Sequence, residues 1–113
     1  MAITIKSNEQ LKYYFDRVLE KANHHAKEVE EVALSIMGAV IWRAEGDIEV
    51  KETQEHKTGN ILWFWCNGSR YALYYKHKTR QIELRAKNYK GKTLHKFDNG
   101  ITQAEVFEIF SGL

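Results

Sequence analysis

Asn60-Ile61-Leu62-Trp63-Phe64-Trp65-Cys66-Asn67-Gly68-Ser69-Arg70-Tyr71-Ala72-Leu73-Tyr74-Tyr75 reads as two aromatic strands joined by Asn-Gly. A two-residue type I′ turn needs positive φ at both central positions, and asparagine and glycine tolerate that best, so Asn67-Gly68 is the predicted turn. A turn of that length sets the register. Cys66 faces Ser69, Trp65 faces Arg70, Phe64 faces Tyr71, Trp63 faces Ala72, Leu62 faces Leu73 and Ile61 faces Tyr74. Side chains alternate across a strand, so one face carries Leu62, Phe64, Cys66, Tyr71, Leu73 and Tyr75. The other carries Ile61, Trp63, Trp65, Arg70, Ala72 and Tyr74.

The next stretch tests this assignment. Gln81-Ile82-Glu83-Leu84-Arg85-Ala86-Lys87 alternates cleanly, after a basic loop Lys76-His77-Lys78-Thr79-Arg80. If Lys76 closes on Gln81, then Tyr75 faces Ile82, Leu73 faces Leu84 and Tyr71 faces Ala86, and every apolar residue of the new strand joins the first face. The second face gains Glu83 beside Tyr74, Arg85 beside Ala72 and Lys87 beside Arg70. It is aromatic on one strand and basic on its neighbours.

Upstream, Ser7-Asn8-Glu9-Gln10 has the form of a capping box. Apolar residues from Leu11 to Met37 then recur at threes and fours, which predicts a long N-terminal helix ending near Gly38. Unbroken, it would be about 45 Å long. Helix propensity dips at Asn23-His24-His25, so a bend there divides it into two in the alternative reading. Ala39-Val40-Ile41-Trp42 is β-branched enough to open a strand, Ala44-Glu45-Gly46-Asp47 offers a turn or bulge, and Ile48-Glu49-Val50-Lys51 alternates; residues 40–53 are read as one bent strand or two short ones. Downstream, Thr93-Leu94-His95-Lys96-Phe97 is a last short strand. Asp98-Asn99-Gly100 is a stop, and Thr102-Gln103-Ala104-Glu105 caps a short C-terminal helix with Val106, Phe107, Ile109 and Phe110 on its apolar side. The expected fold is a single α+β domain spanning 1–113, with a four- to five-stranded antiparallel sheet and helices packed on one face.

A chain of 113 residues is long enough for one hydrophobic core. No apolar run reaches the roughly 18 residues of a membrane span, and the first residues lack the build of a signal peptide, so a cytoplasmic location is expected. The lone cysteine, Cys66, falls on the core face, where it acts as a small hydrophobe. Charge is uneven. Residues 1–55 hold seven Lys/Arg against eleven Asp/Glu, and residues 56–113 hold ten against four, with Glu83 the single acid between 56 and 97. Such a basic half either attracts phosphate or pairs with the acidic half, within the chain or across a dimer.

No catalytic, cofactor or metal constellation emerges. His24 and His25 have Asp16, Glu20 and Glu28 nearby, but adjacent helical side chains point about 100° apart and cannot share an ion. The acids Glu45, Asp47, Glu49, Glu52 and Glu55 read as a solvated strand face. His77 or His95 beside Lys92, Lys96 and Arg80 has the ingredients for cleaving RNA, with nothing to fix their geometry. The candidate binding or interface residues are therefore those of the second sheet face: Trp63, Trp65, Arg70, Tyr74, Arg85 and Lys87. Exposed rings among cations suit single-stranded nucleic acid. Equally, tryptophan and tyrosine anchor protein interfaces, and so broad an apolar patch rarely stays wet on a monomer. A homodimer, or cover by the terminal helix, is the favoured reading over nucleic acid. A third is an aromatic pocket for a small hydrophobic ligand, lined by Tyr71, Tyr75 and Trp42.

In size, α+β layout and aromatic sheet, with Trp63-Phe64-Trp65-Cys66-Asn67-Gly68 as the nearest thing to a signature, the chain resembles the small orphan proteins encoded by bacterial integron gene cassettes. The resemblance implies a mobile bacterial gene whose product is of unknown function and often oligomeric. It implies no catalytic residue.

Overall fold

The computed structural model describes residues 2–7, 9–13, 16, 29–52, 58–76, 78–88 and 90–113. Six strands follow one another in space as they do in sequence, each antiparallel to the last: β1 (Ala2–Ile5), β2 (Ile48–Glu52), β3 (Thr58–Cys66), β4 (Ser69–Lys76), β5 (Gln81–Ala86) and β6 (Thr93–Phe97). Helix α1 (Glu30–Arg43) enters between β1 and β2, and helix α2 (Gln103–Ser111) follows β6.

The central hairpin has the expected register from Ile61↔Tyr74 to Cys66↔Ser69, turned by Asn67 at φ 53° and Gly68 at φ 80°. Strand β5 adds in the expected frame, with Tyr75↔Ile82, Leu73↔Leu84 and Tyr71↔Ala86 paired. Alternation then builds the core directly: Leu62, Phe64, Cys66, Leu73 and Leu84 all point to one face and are buried there with Val50 and Phe97. Both helices lie on that face. Val32, Ile36 and Val40 of α1, spaced four apart, and Val106 and Phe110 of α2 close the core, and Phe64 stacks on Tyr71 and Phe110 at centroid distances of 5.6 and 6.2 Å.

Three expectations are corrected. The long N-terminal helix is not one continuous element, being broken at Val29, and a strand not foreseen precedes it: Ala2–Ile5 is β1, paired to β2 from Ala2↔Lys51 to Ile5↔Ile48, and too short for its alternation to be read from sequence. The Ser7 cap does form, its Oγ accepting from the Gln10 amide at 3.1 Å while the Gln10 side chain accepts from the Lys6 amide at 2.6 Å. Residues 9–13 are helical. However, α1 begins afresh at Glu30, because Val29 is non-helical at φ −127°, ψ 1°, and Asn99 Oδ1 accepts from the first amides, Glu31 at 3.1 Å and Val32 at 3.0 Å. The proposed bend at 23–25 lies outside the described residues.

Second, Gly38 does not end the helix, and Val40-Ile41-Trp42 is not a strand; α1 continues to Arg43. Val40 is the third member of the buried 32-36-40 stripe, so tertiary burial overrides the local preference of β-branched residues. The chain turns only at Ala44, with ψ 135°, and at Gly46, with φ 76°, while the Glu45 amide donates to the Trp65 carbonyl at 2.8 Å. Third, the sheet has six strands where four or five were expected. The C-terminal helix forms with the Thr102–Glu105 capping box complete and Gly112 at its end, but of its expected apolar side it buries Val106 and Phe110 and leaves Phe107 exposed.

Candidate functional site

The second sheet face is built from alternate residues of β2 to β5. Trp63 sits between Glu49 and Ala72, and Ala72 pairs with Arg85; one step along, Ile61, Tyr74 and Glu83 form the parallel row. Ile61, Ala72 and Glu83 are buried, so the middle of this face is closed. Helix α2 does not close it, since Val106 and Phe110 pack in the core on the opposite side.

Two charge clusters occupy the face. In the first, the Arg70 guanidinium lies 5.2 Å from the Trp63 ring centroid and its Nη2 stands 3.4 Å from Glu49 Oε1. In the second, Arg85 lies 5.1 Å from the Tyr74 ring and donates to Glu83 Oε1 from Nη2 at 2.7 Å and Nε at 3.1 Å, while Thr93 Oγ1 donates to the same oxygen at 3.0 Å. Glu83 is only 1% exposed. Burial by itself would raise its carboxyl, but the hydrogen bonds from Arg85 and Thr93 and the charges of Arg85 and Lys76 outweigh it and hold the group below the ordinary carboxylate value. Among the described residues, the buried Glu83 Oε2 and Trp63 Nε1 have no hydrogen-bond partner.

Of the six candidate residues, the structure thus brings Trp63 to Arg70 and Tyr74 to Arg85. Trp65, 46% exposed, and the exposed Lys87 stand at the turn end of the face, where Lys87 holds φ 69° and its amide donates to the Arg70 carbonyl. Both arginines are matched by the protein's own carboxylates. Glu83 as a buried counter-charge is the feature that alternation did not reveal, and its signal was its isolation as the one acid in a basic stretch.

The proposed pocket residues do not converge. Tyr71 and Tyr75 pack on the core, whereas Trp42 is 52% exposed on the far side of α1. Cys66 is buried as expected, although Arg43 Nη2 reaches its Sγ at 3.4 Å, so its surroundings are less purely apolar than its strand face implies. His95 is exposed and near Phe97, and His24, His25 and His77 lie outside the described residues. No group of three or more metal-ligating side chains occurs among the described residues, nor is any helix there long and apolar enough to cross a membrane.

The most exposed apolar surface among the described residues is elsewhere. Leu34 is 60% exposed, Ile41 49%, Trp42 52% and Phe107 60%. Trp42 and Phe107 stack across the two helices, 5.2 Å apart and 4° from parallel, beside a shallow groove lined by Ser35, Gly38, Ala39 and Val106. The helical periodicity of the sequence does not single these residues out, because it searches for one buried stripe. The signal that does is the run Val32-Ala33-Leu34-Ser35-Ile36-Met37-Gly38-Ala39-Val40-Ile41-Trp42, three turns of helix without a charge.

No curated protein matches the chain. The family model described as integron cassette protein VCH_CASS1 chain matches residues 11–106, a span that takes in both sheet faces and most of the helical layer, and the chain belongs to that integron cassette family.

Proposed function

We propose that this integron cassette protein is a self-associating interaction module without catalytic activity, and that it makes contact through the outer side of α1 and α2. The observation that carries the proposal is a helix that is uncharged from Val32 to Trp42 yet covered on one side only. Such helices are ordinarily buried all round. Here Val32, Ile36 and Val40 face the core while Leu34, Ile41 and Trp42 face outward with Phe107 beside them. Each of these four large apolar side chains is about half exposed or more, the kind of clustering that marks an interaction site. Interface centres favour aromatic side chains and arginine, and here the Arg43 guanidinium lies 5.4 Å from the Trp42 ring centroid. The Trp63–Trp65 face fits the role less well, because Ile61, Ala72 and Glu83 are already covered and Arg70 and Arg85 already paired.

Mass in solution tests the proposal. The protein is expected to form dimers at high micromolar concentration and to become monomeric when Trp42→Ser and Phe107→Ser are combined; a wild-type chain that stays monomeric throughout the range removes the reading.

A second reading, binding of single-stranded nucleic acid, draws support from the exposed Lys78, Lys87, Lys92 and Lys96 around the β5–β6 edge and from exposed Trp65. Oligonucleotide titration at two salt concentrations decides it. Binding that weakens steeply with salt supports it, and no binding at low salt discards it.

A further inference from the structure

We propose that the second sheet face holds a neutral hydroxyl, from an internal water or a small alcohol, between Trp63 and Glu83. The site is independent of self-association through the helices, which lie on the opposite face. Glu83 is 1% exposed, and its two oxygens are served unequally. Oε1 accepts from Arg85 Nη2 at 2.7 Å, from Arg85 Nε at 3.1 Å and from Thr93 Oγ1 at 3.0 Å, whereas the buried Oε2 has no donor among the described residues. On the same face the buried Trp63 Nε1 has no acceptor among them. A carboxylate oxygen or an indole N–H that gives up water and gains nothing is costly, and native structures rarely keep one.

Strand register sets the two atoms around one small residue. Trp63 on β3 and Glu83 on β5 are two strand spacings apart, about 10 Å across the sheet. Between them on β4 stands Ala72, which pairs with Trp63 and lies one step along the face from Tyr74, the partner of Glu83. Its side chain ends at a methyl group and supplies no polar atom. Ile61 and Ala72 are 1% and 0% exposed, so whatever meets the two atoms is small and shut off from bulk solvent. Charge and hydrogen-bonding chemistry then select the group. An anion would face the Glu83 carboxylate, and a cation would face Arg85 and Lys76, whose charges already answer that carboxylate, with Lys96 paired to Glu83 from β6. The group is therefore neutral. It donates to Oε2 and accepts from Nε1, and a hydroxyl does both in the smallest volume. Internal waters are held in this way, by polar groups that the chain leaves unmet.

Nuclear magnetic resonance of the whole chain, in water containing a little methanol, tests this. The Trp63 indole proton is identified by its loss in Trp63→Phe. In the wild-type protein it is expected to show a cross-peak of opposite sign in laboratory-frame and rotating-frame Overhauser spectra, the mark of a molecule that is held. The cross-peak falls at the water resonance for an internal water and at the methanol methyl for an alcohol. Ala72→Ser lets the chain supply the hydroxyl itself, from between the two atoms. It is expected to remove the cross-peak and to keep the thermal midpoint within about 2 °C of wild type or above it, whereas a serine buried without partners lowers the midpoint by roughly 4 °C or more. A Trp63 proton with no cross-peak to either resonance overturns the proposal. So does a midpoint that falls by that larger amount in Ala72→Ser.

Discussion

Glu83 shows how one residue decides what a surface can do. It is the buried charged side chain among the described residues, and it holds Arg85 in an ion pair at 2.7 Å. Because its folded pKa lies below the ordinary 4.5, the native state binds fewer protons than the unfolded chain in the acid range. Its contribution is therefore complete above the unfolded value and fades as pH falls through the lower, folded one. Glu83→Gln should cost about 2–4 kcal/mol of unfolding free energy at neutral pH, since it removes the charge that accepts from Arg85 and Thr93 at a site where the Arg85 side chain is only 16% exposed. That difference from wild type should shrink on acidification below the unfolded carboxylate range; chemical denaturation across pH checks both, and a pH-independent difference counts against the ion pair as its cause. Arg70 over Trp63 illustrates the same economy, for a ring already stacked by a guanidinium has one face fewer for a base.

At the scale of the element, α1 is where local preference and packing disagree. Val40-Ile41-Trp42 suits a strand, but Val40 completes a stripe with Val32 and Ile36 and the helix wins. Its start is held from far along the chain, by Asn99 Oδ1 on the Glu31 and Val32 amides. Asn99→Ala should cost about 1 kcal/mol, the usual worth of a cap, and a loss near zero in urea denaturation would show that another group takes its place. Gly38→Ala should add about 0.8–1 kcal/mol to the stability of dilute protein, because the site is helical and a Cβ has open space. A loss of stability there would mean that something in the monomer already occupies that space. At the turn the sign reverses: Gly68 holds φ 80°, so Gly68→Ala should destabilise by about 1 kcal/mol.

At the scale of the molecule, the described residues form one meandering sheet with α1 and α2 on the same face, and these layers differ in charge. Helices α1 and α2 carry Glu30, Glu31, Glu105 and Glu108 against Arg43 alone, whereas the β5–β6 side is almost wholly basic. The two functional readings therefore belong to different surfaces and respond oppositely to salt. Self-association through a mainly apolar helical patch should hold or tighten as salt rises, while nucleic-acid binding through the lysine edge should fall. Sedimentation and oligonucleotide titration over one salt series separate them. Dimers that dissociate with added salt would move the contact from the helices to the charged surfaces.

The sequence alone determined whatever rests on near neighbours. Asn67-Gly68 dictates its own turn because few residues accept positive φ, that turn dictates the β3–β4 register, and the period of two assigns the Leu62-Phe64-Cys66 face, which Ile82 and Leu84 of β5 then join. The capping boxes at Ser7 and Thr102 were legible for the same reason. Contacts between distant segments were not. The pairing of Ala2–Ile5 with Ile48–Lys51, the capping of α1 by Asn99, and the burial that keeps Val40 helical each join residues with no local signature of one another. The contact surface proposed here is chosen for this reason. Trp63, Trp65 and Tyr74 share a face by alternation, but only the tertiary structure decides which faces are covered, and it buries the middle of that one while leaving Leu34, Ile41, Trp42 and Phe107 in the open.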